Sequence, residues 1–157
     1  MRPLVVALLL SLPLGGCARM LGGGGSGDAV QSVPVSVDST LRIAATQLQH
    51  HGYTVQPLGQ SSLITAPRPV PDWLGGKDEK MKGRQWFVQV NARSHYLARG
   101  TQLEVVGFMV PESSGQMNTS GVATVQNAVQ VKSENPLFQE VRTIATWIGD
   151  EARRAKR

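Results

Sequence analysis

Two stretches of helical periodicity flank a run of strand-like alternation, and this order constrains the fold more than any other feature of the chain. In the first stretch Leu41, Ala44, Ala45 and Leu48 recur at i, i+3, i+4 and i+7, which places them on one face of a helix. Asp38 or Ser39 can cap its start, and Gly52 can stop it. In the second, Leu137, Val141, Ile144, Ala145 and Ile148 form an apolar stripe, with Trp147 at its edge and Gly149 weakening the helix locally. Asn135-Pro136 opens it: a capping side chain, then a residue whose missing N–H is not needed in the first turn.

Between these helices the period changes to two. A strand is expected at about Tyr53–Leu58, a turn through Gly59-Gln60-Ser61-Ser62, and a returning strand at Leu63-Ile64-Thr65-Ala66. Residues 67–84 carry prolines, Gly75-Gly76 and the charged run Lys77-Asp78-Glu79-Lys80, and read as one long loop. Trp73-Leu74 within it marks either a segment packed back on the domain or a contact site. Trp86, Val88, Val90 and Ala92 alternate with Gln89, Asn91 and Arg93, the pattern of a strand with one wet face. Thr101–Val110 is apolar on both sides, with Leu103, Val105 and Met109 on one and Val106, Phe108 and Val110 on the other. Such a strand is central in its sheet or bulged at Gly107. After a polar loop at Pro111–Gly121, Val122–Val131 reads as a further strand with Val125, Val129 and Val131 facing inward. The expected fold class is α+β: an antiparallel sheet of three to five strands, with an N-terminal and a C-terminal amphipathic helix packed on one face. A chain of 157 residues has room for one such domain, placed at residues 33–150. Its 41% apolar content argues against overall disorder.

The core must hold by packing alone, because the single cysteine, Cys17, forms no intramolecular disulfide. What precedes it has the order of an export signal. Arg2 supplies the positive start, Leu4–Leu14 an apolar run too short to span a bilayer, and Gly15-Gly16 the small residues a signal peptidase requires. Leu14-Gly15-Gly16-Cys17 resembles the lipobox of bacterial lipoproteins. The resemblance implies that residues 1–16 are removed as a signal peptide by cleavage between Gly16 and Cys17. It further implies a diacylglyceryl group on the Cys17 thiol and a fatty acyl chain, such as palmitate, on the new amine. Membrane lipid then becomes a partner through acylated Cys17. Two or three chains on one residue make attachment effectively permanent, since each buried methylene contributes about 0.8 kcal/mol. Ala18 stands where an aspartate would retain a lipoprotein at the inner membrane, so the same resemblance implies the outer membrane, facing the periplasm.

Residues 17–32 read as a lipidated tether, since Gly22-Gly23-Gly24-Gly25-Ser26-Gly27 has the conformational freedom of a coil. The whole chain carries a net charge of +5, and Arg153, Arg154, Lys156 and Arg157 crowd into its last positions. The basic character therefore belongs largely to a C-terminal tail, 151–157, which complements a helix dipole or touches anionic lipid. Nucleic acid is excluded as a partner for an exported chain.

Candidate chemistry is sparse. His50 and His51 are adjacent, so their side chains diverge by about 100° on a helix and lack the i, i+4 spacing of a shared metal. His95 falls where a strand gives way to a turn. Asp78-Glu79 and Asp150-Glu151 are the adjacent carboxylates, and no serine sits in a G-x-S-x-G elbow. No catalytic residue, metal ligand or cofactor is singled out by these patterns, and the expectation is a non-enzymatic module.

The helix ending in Gly52-Tyr53, the hairpin after it, the later strands and the closing helix together resemble the helix-grip domains of BamC-like outer-membrane lipoproteins. That resemblance is one of arrangement over about residues 35–150, and it implies an interaction or assembly role with another envelope protein. Those proteins carry two such domains where this chain has room for one. The alternative is a carrier or sensor of a small apolar ligand, suggested by the two-sided strand and the Trp73 loop. A cavity lined by Trp73, Val106 and Phe108 favours the carrier, and a filled core with an exposed apolar patch favours a protein partner. The residues expected to make either contact are Trp73, Leu74, Val106 and Phe108.

Overall fold

The computed structural model describes residues 28–75, 81, 83–95, 100–110 and 128–156. In chain order the elements are β1 (Asp28–Val33), α1 (Val37–His50), β2 (Val55–Pro57), β3 (Ser62–Thr65) and β4 (Arg68–Pro69). They continue with α2 (Asp72–Gly75), β5 (Gln85–Ser94), β6 (Thr101–Met109), β7 (Val129–Gln130) and α3 (Leu137–Arg154). The expected signal peptide, Gly16, Cys17, the expected loop Pro111–Gly121 and Val125 lie outside the described residues, as do 76–80 and 96–99.

The fold is α+β, with an open antiparallel sheet in the order β1-β6-β5-β3-β2. Two further short strands, β4 and β7, raise the count to seven, above the three to five expected. Both occupy edges left free by a longer neighbour. β4 follows β3 along β5, and β7 lies beyond β1 along β6. Ala66-Pro67 separates β3 from β4, where proline has no N–H to give the ladder. Across that break the Thr65 hydroxyl accepts the Val88 N–H at 3.0 Å, replacing a backbone carbonyl.

The domain starts earlier than expected. β1 lies at 28–33, inside the stretch read as tether, and pairs residue for residue with β6 from Asp28↔Val106 to Val33↔Thr101. Its partner is some seventy residues away in sequence, so no local pattern announced it. At the other end α3 continues through Arg154, into the region read as a tail, with Asp150–Arg153 and Glu151–Arg154 pairs at 3.4 and 3.3 Å. These pairs are exposed and weak, about 0.3–0.5 kcal/mol each.

Capping explains the helix limits. Ser36, and not Asp38 or Ser39, caps α1, accepting the Ser39 N–H at 3.2 Å. Asp38 pairs instead with Arg42 at 3.2 Å. Gly52, at φ 78°, turns the chain after α1 as expected, and Tyr53 N–H closes onto the Leu48 carbonyl at 2.9 Å. Asn135 Oδ1 accepts the Leu137 N–H at 2.9 Å and so caps α3 across Pro136.

Both long helices pack on one face of the sheet. Trp86, Val88, Val90, Leu103 and Val105 are fully buried there against Ala44, Leu48, Leu137, Val141, Ile144 and Ile148. β6 is central, as its two-sided pattern suggests, and has no bulge. Its register with β5 runs unbroken from Trp86↔Met109 to Ser94↔Thr101. Gly107 serves close approach instead, since a Cβ there would stand 2.6 Å from Val141 Cγ2. Val131 faces inward as expected, but Val129 is exposed, because β7 passes beyond the helices at the sheet's end. Among the described residues no helix is long and apolar enough to cross a membrane.

Candidate functional site

The alternation that turns Trp86, Val88 and Val90 toward the helices turns Phe87, Gln89 and Asn91 to the opposite face. Register then sets what lies beside them. Phe87 stands opposite Phe108, Gln89 opposite Val106 and Asn91 opposite Glu104, while β3 adds Ile64 beside Gln89 and Ser62 beside Asn91. The Phe87 and Phe108 rings stack with centroids 5.2 Å apart and planes at 17°. Phe87, Val106 and Ile64 are 4, 7 and 8% exposed, although none belongs to the core beneath the helices.

Next to this apolar half runs a polar ladder over three strands. Ser62 donates its hydroxyl to Asn91 Oδ1 at 2.8 Å, and the Gln89 amide donates to the same oxygen at 2.9 Å. Asn91 in turn donates to Glu104 Oε2 at 2.9 Å. The face is thus aromatic on one side and amide-rich on the other, and its apolar half is already largely buried within the chain.

The expected contact residues do not form one site. Val106 and Phe108 lie on this second face. Leu74 is buried in the helix-side core, across the sheet from Val106, and Trp73 projects outward from α2. An open cavity of about 510 Å³ lies elsewhere, at the start of α1, lined by Val35, Ser36, Asp38, Ser94 and Thr101 among others. Cys17 and Gly16 are outside the described residues.

A second constellation sits where the two helices meet the sheet. Arg68 lies over the Tyr53 ring at 4.4 Å, and the Tyr53 hydroxyl donates to Glu140 Oε1 at 3.5 Å. Burial, with the nearby Glu140 carboxylate, pushes the phenol up to about 12, against a smaller opposing pull from Arg68. Tyr53 meets Trp86 edge-on at 6.4 Å, and the buried Trp86 Nε1–H has no hydrogen-bond acceptor among the described residues. Of the histidines, His51 stacks on Trp147 at 3.6 Å with planes at 5°, His50 meets His51 edge-on, and the backbone N–H of His95 donates to the Gly100 carbonyl. Among the described residues no three His, Cys, Asp or Glu side chains gather to hold a metal ion.

Sequence reasoning missed both the Ser62–Asn91–Glu104 ladder and the Arg68–Tyr53–Glu140 cluster. Polar residues at alternate strand positions read as solvated, and only the register of β3, β5 and β6 shows that they meet. Comparison with models of known protein families finds no match, and comparison with curated proteins finds none either.

Proposed function

We propose that this chain is a lipid-anchored lipoprotein of the bacterial envelope whose domain serves as a non-enzymatic interaction or assembly module. The observation that carries the anchored half is Leu14-Gly15-Gly16-Cys17, standing directly after a charged start and a short apolar run. Acylated Cys17 then holds the domain at the outer membrane, on the periplasmic side, with lipid as one partner and another envelope protein as the second.

The interaction half is supported by the sheet face away from the helices. An antiparallel sheet of this kind commonly leaves one face to water. Here that face carries the half-buried Ser62–Asn91–Glu104 ladder, with Val30 of β1 more than half exposed at its edge, while Ile64, Phe87 and Val106 are already buried within the chain. A carrier of a small apolar ligand stands second. It calls for Trp73, Val106 and Phe108 around one cavity, whereas Trp73 projects to solvent and Leu74 beside it lies across the sheet from Val106.

The test is expression in a diderm host of wild type beside Cys17→Ser, read by intact mass and membrane fractionation. Lipid-modified wild type and an unmodified mutant released from membranes are expected. If both are soluble with the same cleaved mass, the anchor is refuted. A photo-crosslinker at Val30 reads the other half, where a discrete protein adduct supports the module. Co-purification of a stoichiometric small apolar molecule with no adduct would move the carrier ahead.

A further inference from the structure

Among the described residues the two most exposed large apolar side chains are Trp73, at 60%, and Val129, at 55%. The register places both at one end of the sheet. Arg68, Trp86, Met109 and Val129 form a transverse row through β4, β5, β6 and β7. Outward of this row the Val70 N–H donates to the Arg84 carbonyl at 2.9 Å, and α2 with Trp73 follows directly.

The chain leading from Cys17 joins the domain from this same end. β1 runs from Asp28, opposite Val106, to Val33, opposite Thr101, so its first residue is the one nearest the Met109 row. Three residue steps along β6 take the chain from Val106 to Met109, about 10 Å. Residues 18–27 span at most about 35 Å when fully extended. The Trp73–Val129 end is therefore the end that an anchor at Cys17 brings to the bilayer with least stretching. The basic end lies opposite. Arg153 donates to Gln31, which pairs with Leu103, so Arg153 and Arg154 sit toward the Thr101 side, at the far end of a helix about 27 Å long.

We propose that the end of the sheet bearing Trp73 and Val129 rests on the lipid surface that holds Cys17, with the Trp73 indole in the headgroup region. This orientation rests on the lipoprotein reading above. Indole suits the position because its body is apolar and its N–H needs a polar partner, a combination that concentrates tryptophan at membrane–water boundaries. Among the described residues Asp72, Lys132 and Glu134 give this end exposed charges of both signs and no basic patch, so the contact is assigned to the indole. Docked end-on, the domain holds its sheet upright on the membrane, with the exposed Val30 edge of β1 to the side.

The experiment uses full-length chain purified from membranes and reconstituted into vesicles of zwitterionic lipid, with or without bromine on the acyl chains. Intact mass reports the lipid on Cys17, and tryptophan emission reports the orientation. Brominated lipid is expected to quench the Trp73 share of wild-type emission. That loss should be absent in Trp73→Phe and should not return in Trp73→Phe/Lys156→Trp, which moves the reporter to the basic end. Adding anionic lipid should leave the pattern unchanged. A lipidated protein whose Trp73 emission is unaffected overturns the orientation alone, as does quenching at position 156, which would show the basic end on the bilayer. A lipidated protein in which Trp73 crosslinks to another protein in membranes, without quenching, assigns this end to a protein partner and also overturns it. Protein that carries no lipid refutes the anchor and the orientation together.

Discussion

Tyr53 lies at the junction of sheet and helices, so its phenol reports on that packing. Because burial and Glu140 both disfavour the phenolate, the folded state holds the proton up to about 12, against 10.0 for an ordinary tyrosine. The sign follows directly. Below pH 10 both folded and unfolded chains carry the neutral phenol, and the contribution is complete. Between about 10 and 12 the unfolded chain ionises while the folded one does not, so stability falls, by at most about 2–3 kcal/mol. Tyr53→Phe should flatten that portion of the pH–stability curve measured by urea unfolding, and an unchanged slope would show that the phenol is not shielded. Gly107 teaches a second lesson at this scale. In sequence the strand reads as central or bulged at this glycine; it is central, and the glycine admits Val141 and Val131 against it, which no one-dimensional pattern encodes.

Among the elements, the strand broken into β3 and β4 is where local reasoning and observed structure part. The hairpin of β2 and β3 was legible, because turn residues separate two short apolar runs. The resumption at Arg68-Pro69 was not, because two residues after a proline carry no period. Continuity across the gap depends on the Thr65 hydroxyl, which accepts the N–H of fully buried Val88. Thr65→Val keeps the shape and removes the acceptor, and should cost about 1–3 kcal/mol as an unsatisfied buried donor. Thr65→Ser should retain most of that stability. Amide exchange at Val88 checks both, since faster exchange is expected in the valine variant only. The helices were more legible than the strands: Gly52 and Asn135 sit where their capping chemistry puts them, and the stripes of both helices face the core. The α1 cap lies at Ser36 because three capping residues within four positions, Ser36, Asp38 and Ser39, compete for one helix start and local sequence does not rank them.

For the whole molecule, β1 decides where the domain begins. It closes one edge of β6 with six pairings and buries Val33, a side chain whose full burial is worth about 1.5–3 kcal/mol. A chain beginning at residue 28 should unfold in denaturant with the midpoint of the longer protein. One beginning at residue 34 should lose several kcal/mol and self-associate through the uncovered β6 edge. Equal midpoints would return residues 28–33 to the tether.

Sequence by itself determined the class of the fold, the two helical stripes, the hairpin and the two-sided character of β6, because each rests on a period that neighbouring residues carry. It also set the order of charged start, apolar run and cysteine from which the lipoprotein reading comes. Tertiary structure alone decided that β1 belongs to the sheet, that Leu74 and Val106 lie on opposite sides of it, and that Trp73 and Val129 gather at the end where the chain from Cys17 enters. Those are facts of register and pairing between segments tens of residues apart, set by how β1, β4 and β7 find the free edges of β5 and β6. A local pattern can say that a strand exists, but not which strand it will find.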